Sequence, residues 1–247
     1  MRDVPDLRDH HYVPPAELTE TLPHRINLRQ EFPPAYDQRS LQSCTANAIA
    51  AAMQFVRQKE GLEPAFEPSR LFIYYNARSL RGNVRCDNGS QIRDGIKTVA
   101  AKGVCPERCW PYHSSQFDVT PSPACYRAAA EHRAIRYQRI RREPDLVAMK
   151  ACLASGYPFV FGMAVYEDFE SAKVERSGAA RFPTPGEHHV GAHAVLAVGY
   201  DDADRRFSVR NSWGPEWGKQ GYFTLPYEYL TEPGLSDDFW TIRSVTE

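Results

Sequence analysis

The stretch Asp37-Gln38-Arg39-Ser40-Leu41-Gln42-Ser43-Cys44-Thr45-Ala46-Asn47-Ala48 places a cysteine where a polar loop turns into a helix. Upstream, Phe32-Pro33-Pro34 favours extended backbone, because proline lacks an N–H and restricts the residue before it. Downstream, Ala46, Ile49, Ala50, Met53 and Val56 recur at intervals of three and four in an alanine-rich run. A helix is predicted from about Ser43 to Glu60, closed by Gly61. Cys44 then lies in or beside the first turn, where unpaired N–H groups and the positive end of the helix dipole stabilise an anion. The thiolate is the nucleophilic form of cysteine. A small apolar residue at a helix start accounts for the same placement, so a nucleophile has to be argued from the rest of the chain.

Working outward, the 247 residues suffice for one large domain or two small ones, and 42% hydrophobic with 25% charged residues is the composition of a soluble globular protein. A net charge of -1 gives no electrostatic reason to expect nucleic acid or an anionic membrane as partner. No apolar run approaches the roughly 20 residues that span a bilayer. The charged start, Met1-Arg2-Asp3-Val4-Pro5-Asp6, lacks the apolar core of a Sec signal, which points to a cytoplasmic protein or one exported by another route.

Residues 1–22 read as an extended arm with no core of its own. Residues 23–134 read as a mainly helical lobe, with helices at Ser43–Glu60, Ser69–Ala77, Gln91–Lys102 and Pro123–His132. A long connection over 104–124 carries four prolines and Trp110, Tyr112 and Phe117; connections of this length are commonly functional. From Ile135 the pattern turns toward strands. After a helix at Pro144–Ser155 come Phe159–Val165, His193–Tyr200, Arg206–Arg210, Gly221–Leu225 and Phe239–Arg243, separated by Gly, Pro and Asp turns. Helices followed by strands argue for an α+β fold in two lobes, the second spanning 135–247.

A nucleophilic cysteine needs a base, a group that orients the base, and donors for the developing oxyanion. Of eight histidines, His193 alone opens a strongly apolar strand, Ala194-Val195-Leu196-Ala197-Val198-Gly199-Tyr200, where packing would fix its ring. His189-x3-His193 carries a metal reading, but no third ligand stands at useful spacing. Asn211, in Asn211-Ser212-Trp213-Gly214-Pro215-Glu216-Trp217-Gly218, offers an amide oxygen to one imidazole nitrogen, and Trp213 can cover that contact. The other five cysteines, Cys86, Cys105, Cys109, Cys125 and Cys152, do not make a paired framework once Cys44 is kept free. One bridge among Cys105, Cys109 and Cys125 is within reach, and spacing does not say which two.

Three strings together, Asp37-Gln38-x5-Cys44, Gly191-x-His193-Ala-Val-x-Ala-Val-Gly-Tyr200 and Asn211-Ser-Trp-Gly-x3-Gly-x2-Gly-Tyr222, resemble the papain-like (family C1) cysteine peptidases. Cys44 precedes His193 by 149 residues, in the family's order. The resemblance covers roughly residues 25–225. It implies a helical lobe and an antiparallel β-barrel-like lobe with the active site in the cleft between them. By the same resemblance Cys44 is the nucleophile of an endopeptidase acting through a thioester, His193 the base and acid, and Asn211 its orienting residue. Gln38 and the Cys44 N–H form the oxyanion hole, and Trp213 covers the Asn–His contact. Asn88, Gly89 and Gly162 are implied in substrate binding, with Trp217 as a wall on the leaving-group side. No metal or cofactor is called for; a peptide or protein substrate and a monomer are expected.

The chain departs from the family in several places. Leu41 replaces the cysteine usual at that position, which implies that Cys86 lacks its usual disulfide partner. Thr45 replaces the tryptophan after the nucleophile, and Ala192 stands where plant relatives carry aspartate. The arm is far shorter than a usual prodomain, a pattern more bacterial than animal or plant, and it is placed to lie across the cleft. A catalytically inactive, narrow-specificity or acyl-transfer protein on the same scaffold is the competing reading.

Overall fold

The computed structural model describes residues 3, 6, 7, 9–62, 66–142 and 146–246. Its helices are α1 (Ala16–Glu20), α2 (Cys44–Lys59), α3 (Arg70–Ser79), α4 (Ile92–Ala101), α5 (Pro123–Ala129), α6 (Val147–Ala154), α7 (Ala172–Ser177) and α8 (Tyr227–Thr231). The strands are β1 (Arg25–Asn27), β2 (Ala134–Arg139), β3 (Phe159–Tyr166), β4 (His189–Asp201), β5 (Arg206–Arg210), β6 (Tyr222–Pro226) and β7 (Ser236–Val245). Helices dominate the first half and strands the second, the α+β order expected from the sequence.

One helix joins the two halves. From Thr45 to Arg57 all but one of the residues of α2 are buried. A helix apolar on every side belongs in an interior, and its alanines let neighbours approach closely. α2 packs on α3 and α4 on one flank and on β4 and β7 on the other. Ile49, Phe55 and Val56 are each buried at that junction, contributing about 1.5–3 kcal/mol apiece. α3 is capped as the sequence suggests, Ser69 accepting the Phe72 N–H at 3.1 Å. α4 stops at Gly103, whose φ of +78° suits glycine and whose Cα lies so close to the Ala129 carbonyl that a Cβ would overlap it.

The sheet runs β2–β7–β3–β4–β5–β6, with β1 added to β4, and every pairing is antiparallel. The strand predicted to open at His193 begins four residues earlier. Gly191 and Ala192 continue the ladder opposite Val165 and Ala164, so His193 lies inside β4, facing Met163 on β3. That pairing, which alternation within β4 alone does not reveal, anchors the histidine backbone against β3. The helix start expected at Pro144 lies outside the described residues; α6 is described from Val147.

The arm has no core of its own but inserts into the body. Tyr12 joins the main hydrophobic cluster. Asp3 is buried, its backbone N–H donating to Asp238 Oδ2 at 2.6 Å while its carboxylate accepts from Arg93 N at 3.1 Å and Trp240 Nε1 at 2.9 Å. Asp9 forms ion pairs with Arg93 and Arg139, and Arg139 reaches Asp238 at 2.9 Å.

Candidate active site

Cys44 is the first residue of α2 and half-buried. Its thiol is in hydrogen-bond contact with the His193 imidazole. The other face of that ring is fixed: Nε2 lies 2.8 Å from Asn211 Oδ1. The Ser212 N–H donates to the same oxygen at 2.8 Å. A backbone donor there identifies the atom as oxygen, so Nε2 donates and Nδ1 faces the thiol. Burial alone would push the Cys44 thiol up, but His193, through hydrogen bond and charge, outweighs it and holds the thiol below its ordinary value; the Ala194 and Thr45 N–H groups assist. Burial also disfavours the imidazolium, yet Cys44, Asn211 and the charge of Glu170 raise His193 above the usual histidine range. The two shifts agree: the pair favours thiolate and imidazolium.

Gln38 is buried and held from three sides. Its Oε1 accepts from Ser212 Oγ at 2.6 Å, its backbone N–H donates to Ser212 O at 2.8 Å, and its Nε2 donates to Leu41 O at 2.8 Å. An amide nitrogen carries two hydrogens, so one remains for a ligand. Gly214 N donates to Tyr36 O at 2.9 Å, tying the Gln38 loop to the turn that carries Asn211.

Trp213 covers the histidine, with ring centroids 5.0 Å apart. Trp217 stands edge-on to Trp213 at 5.1 Å and packs on Phe169 and Phe223. It is buried against Trp213.

The cleft beside Cys44 and His193 has a volume of about 310 Å³, and Asn88, Gly89 and Gly162 are among the residues that line it. The Gly89 N–H already donates to Tyr74 Oη at 3.3 Å. A Cβ on Gly162 would lie 2.8 Å from Asp237 Oδ1, so the glycine makes room for that carboxylate. Ala164, a strand neighbour of Gly162, lines the cleft too, as do Ser90, His189, Leu235 and Asp237, which were not foreseen. They come from separate loops and strands and share no local motif.

All six cysteines are free thiols. Cys125 and Cys109 are neighbours, Cys125 Sγ lying 3.4 Å from Cys109 O. Among the described residues no three His, Cys, Asp or Glu side chains converge to hold a metal, and no helix is long and apolar enough to cross a membrane.

A polarised thiol, an imidazole oriented by an amide, and spare N–H donors beside both are the parts of a thiol-dependent acyl-transfer centre. Comparison with known proteins gives the family. The model for papain family cysteine proteases matches residues 22–239. An uncharacterized peptidase C1-like protein of Acanthamoeba polyphaga mimivirus is 44% identical over 217 residues, 85% of this chain and 70% of that protein. Xylellain, a cysteine protease from Xylella fastidiosa, superposes with a TM-score of 0.94 at 42% identity, covering 99% of this chain and 94% of that one. Digestive procathepsin L 3 of Tenebrio molitor, 18% identical, shares the fold with a TM-score of 0.74 over 94% of this chain and 72% of its own. The chain belongs to the papain family of cysteine proteases and is a hydrolase with the family's two-lobe fold. Its likeness to the Xylella protease fits the bacterial-type pattern read from the sequence.

Proposed function

We propose that the protein is an endopeptidase in which Cys44 forms a thioester with the acyl half of the substrate. The observation that carries this reading is the convergence of Cys44, His193 and Asn211, with the thiol pushed down and the imidazole pushed up. The Cys44 thiolate attacks the scissile carbonyl carbon, and the oxygen takes the charge. The Cys44 N–H and the second hydrogen of Gln38 Nε2 stabilise that oxyanion. His193 Nδ1 gives its proton to the leaving nitrogen as the C–N bond breaks. A water molecule then loses a proton to His193 and attacks the thioester, releasing the acid and restoring the thiol. Trp213 shields the His193–Asn211 bond from water, which strengthens it.

The test uses denatured casein as an unselective substrate and iodoacetamide as the thiol reagent. Cleavage that stops on alkylation of Cys44, and that falls by roughly 10⁴-fold or more in Cys44→Ala, supports the reading. Alkylation of Cys44 with no cleavage in the untreated protein favours acyl transfer or narrow specificity. Failure to alkylate under reducing conditions excludes an activated thiol.

The arm, residues 1–22, narrows access at the Asp238 end of the cleft in this reading, because Asp3 is fastened to Asp238 there. Deleting residues 1–21 should raise kcat/KM on a short peptide; unchanged kinetics would remove the arm from the mechanism.

A further inference from the structure

Two segments wall the cleft beside the sulfur: one carries Gln42, Cys44 and Thr45, the other Asn88, Gly89 and Ser90. No disulfide joins them, for Leu41 is buried and Cys86 is an exposed free thiol. Polar contacts join them instead. The Gln42 N–H donates to Asp87 Oδ1 at 3.0 Å, and the Tyr74 hydroxyl donates to the same oxygen. The Gly89 N–H donates to Tyr74 Oη at 3.3 Å. A tyrosine hydroxyl has one proton and an ionised carboxylate only accepts. The Tyr74 proton is therefore spent on Asp87, and its oxygen is left to accept from Gly89. One carboxylate oxygen thus gathers the segment before Cys44, helix α3 and, through Tyr74, the Gly89 backbone.

Helix α3 is the fixed side of this arrangement. Tyr74 and Arg78 are both buried in it, and residues four apart are neighbours on one helix face. The Arg78 guanidinium lies over the Tyr74 ring, 3.9 Å from its centroid. Its Nη1 donates to Val84 O at 2.7 Å and to Cys86 O at 2.9 Å. The helix therefore grips the loop by carbonyls before Asp87 and by an N–H after it. Thr45 adds a second tie across the gap, its Oγ1 donating to Ser90 O at 3.0 Å. Bonds to an ionised acceptor are stronger than neutral ones, which makes Asp87 the strong point of the set.

We propose that Asp87 is a positioning residue for peptide binding: its carboxylate clasps the Gln42 segment to Tyr74 and so fixes Asn88, Gly89 and Ser90 as one wall of the cleft beside Cys44. This rests on the reading of that cleft as the site where a peptide is cut. Asp87 acts through the Gln42 N–H and the Tyr74 hydroxyl, not on the reacting atoms.

The experiment compares the wild-type protein with Asp87→Ala, Asp87→Asn, Tyr74→Phe and the Asp87→Ala/Tyr74→Phe double variant. Three quantities are followed: kcat and KM on one short peptide, backbone amide exchange over residues 86–90 against that in α2, and the rate of Cys44 alkylation by iodoacetamide, a reagent too small to need the wall. In Asp87→Ala, KM should rise about ten-fold with kcat within about three-fold of wild type, the loss of a binding contact and not of a transition-state one. Exchange over 86–90 should quicken by about ten-fold as the hydrogen bonds open, while exchange in α2 and the alkylation rate stay at their wild-type values. Asparagine keeps an Oδ1 that accepts, so Asp87→Asn should bring KM back to within about three-fold of wild type. Tyr74→Phe breaks the same clasp, so the double variant should match Asp87→Ala and not multiply with it. An Asp87→Ala protein with unchanged KM, whatever its thermal midpoint, overturns the proposal. So does an asparagine variant as impaired as the alanine one, a multiplicative double variant, or an alkylation rate that falls with kcat. A wild-type protein that cleaves no peptide overturns the endopeptidase reading instead, and exchange over 86–90 then still decides whether Asp87 fixes the wall.

Discussion

At the Cys44 end of the cleft the buried polar atoms are joined by a chain of neutral hydrogen bonds; at the Asp238 end they are joined by ion pairs. Asn47, Ser43, Tyr112 and Gln38 are linked to one another through uncharged groups. Asp3, Asp9 and Asp238 meet Arg93 and Arg139 around the Trp240 indole. The neutral network keeps one geometry while the Cys–His pair beside it titrates. The charged network fastens a terminal segment, and its strength depends on the protonation of its carboxyls. Burial, then the charge of Asp238, pushes Asp3 above the usual carboxylate range. Burial likewise pushes Asp238 up, Asp237 adding to the effect while the Asp3 N–H, Arg139 and Arg93 oppose it.

Asp9→Ala tests that contrast with the largest expected effect on stability. The Asp9 side chain is 6% exposed and serves two arginines, and breaking a buried pair costs about 3 kcal/mol or more. Urea denaturation should show that loss with kcat within two-fold of wild type; a loss below about 1 kcal/mol would mean the pairs act like solvent-screened ones. Gln38→Ala is the mirror case. It should lower kcat by about 10²-fold through the oxyanion, while stability drops by only about 1 kcal/mol.

Acidification should separate the two ends by sign. A carboxyl whose folded value is raised favours the folded arrangement fully below the ordinary aspartate value, and that contribution is lost as pH rises through the raised value. Asp3 and Asp238 are such groups. Backbone exchange in the arm, corrected for its intrinsic pH dependence, should therefore slow as pH falls through those raised values, and Asp238→Asn should flatten the trend. Hydrolysis should do the reverse on its acid side. It falls as pH drops through the lowered value of Cys44, and on the alkaline side as pH rises through the raised value of His193. Gly162→Ala, the mildest change, crowds Asp237 Oδ1. It should shift KM a few-fold, by about 1 kcal/mol or less, and leave kcat alone.

The sequence made the core of the site legible because each part sits in its own short string. Cys44 follows a proline-bounded loop, His193 leads an apolar run, and Asn211 opens a glycine-punctuated turn. Gln38 was legible by its distance from Cys44. Other features were not, for physical reasons. Tyr112 reaches Ser43 from 69 residues away and Asp3 reaches Trp240 from 237 residues away, and no local pattern records such contacts. The walls of the cleft are backbone and small side chains from distant segments. The arm gave no periodicity because it is held by individual polar contacts and Tyr12, with no apolar face of its own.

The alanine-rich helix α2 has one more consequence. A single rod, shared by both halves of the molecule and tightly packed along its length, leaves the cleft little room to widen or narrow. The cleft behaves as a mould, not a jaw. Adaptation falls to the chain being cut, so segments already extended or locally unfolded should be consumed first, and the rest of a target only as it loosens.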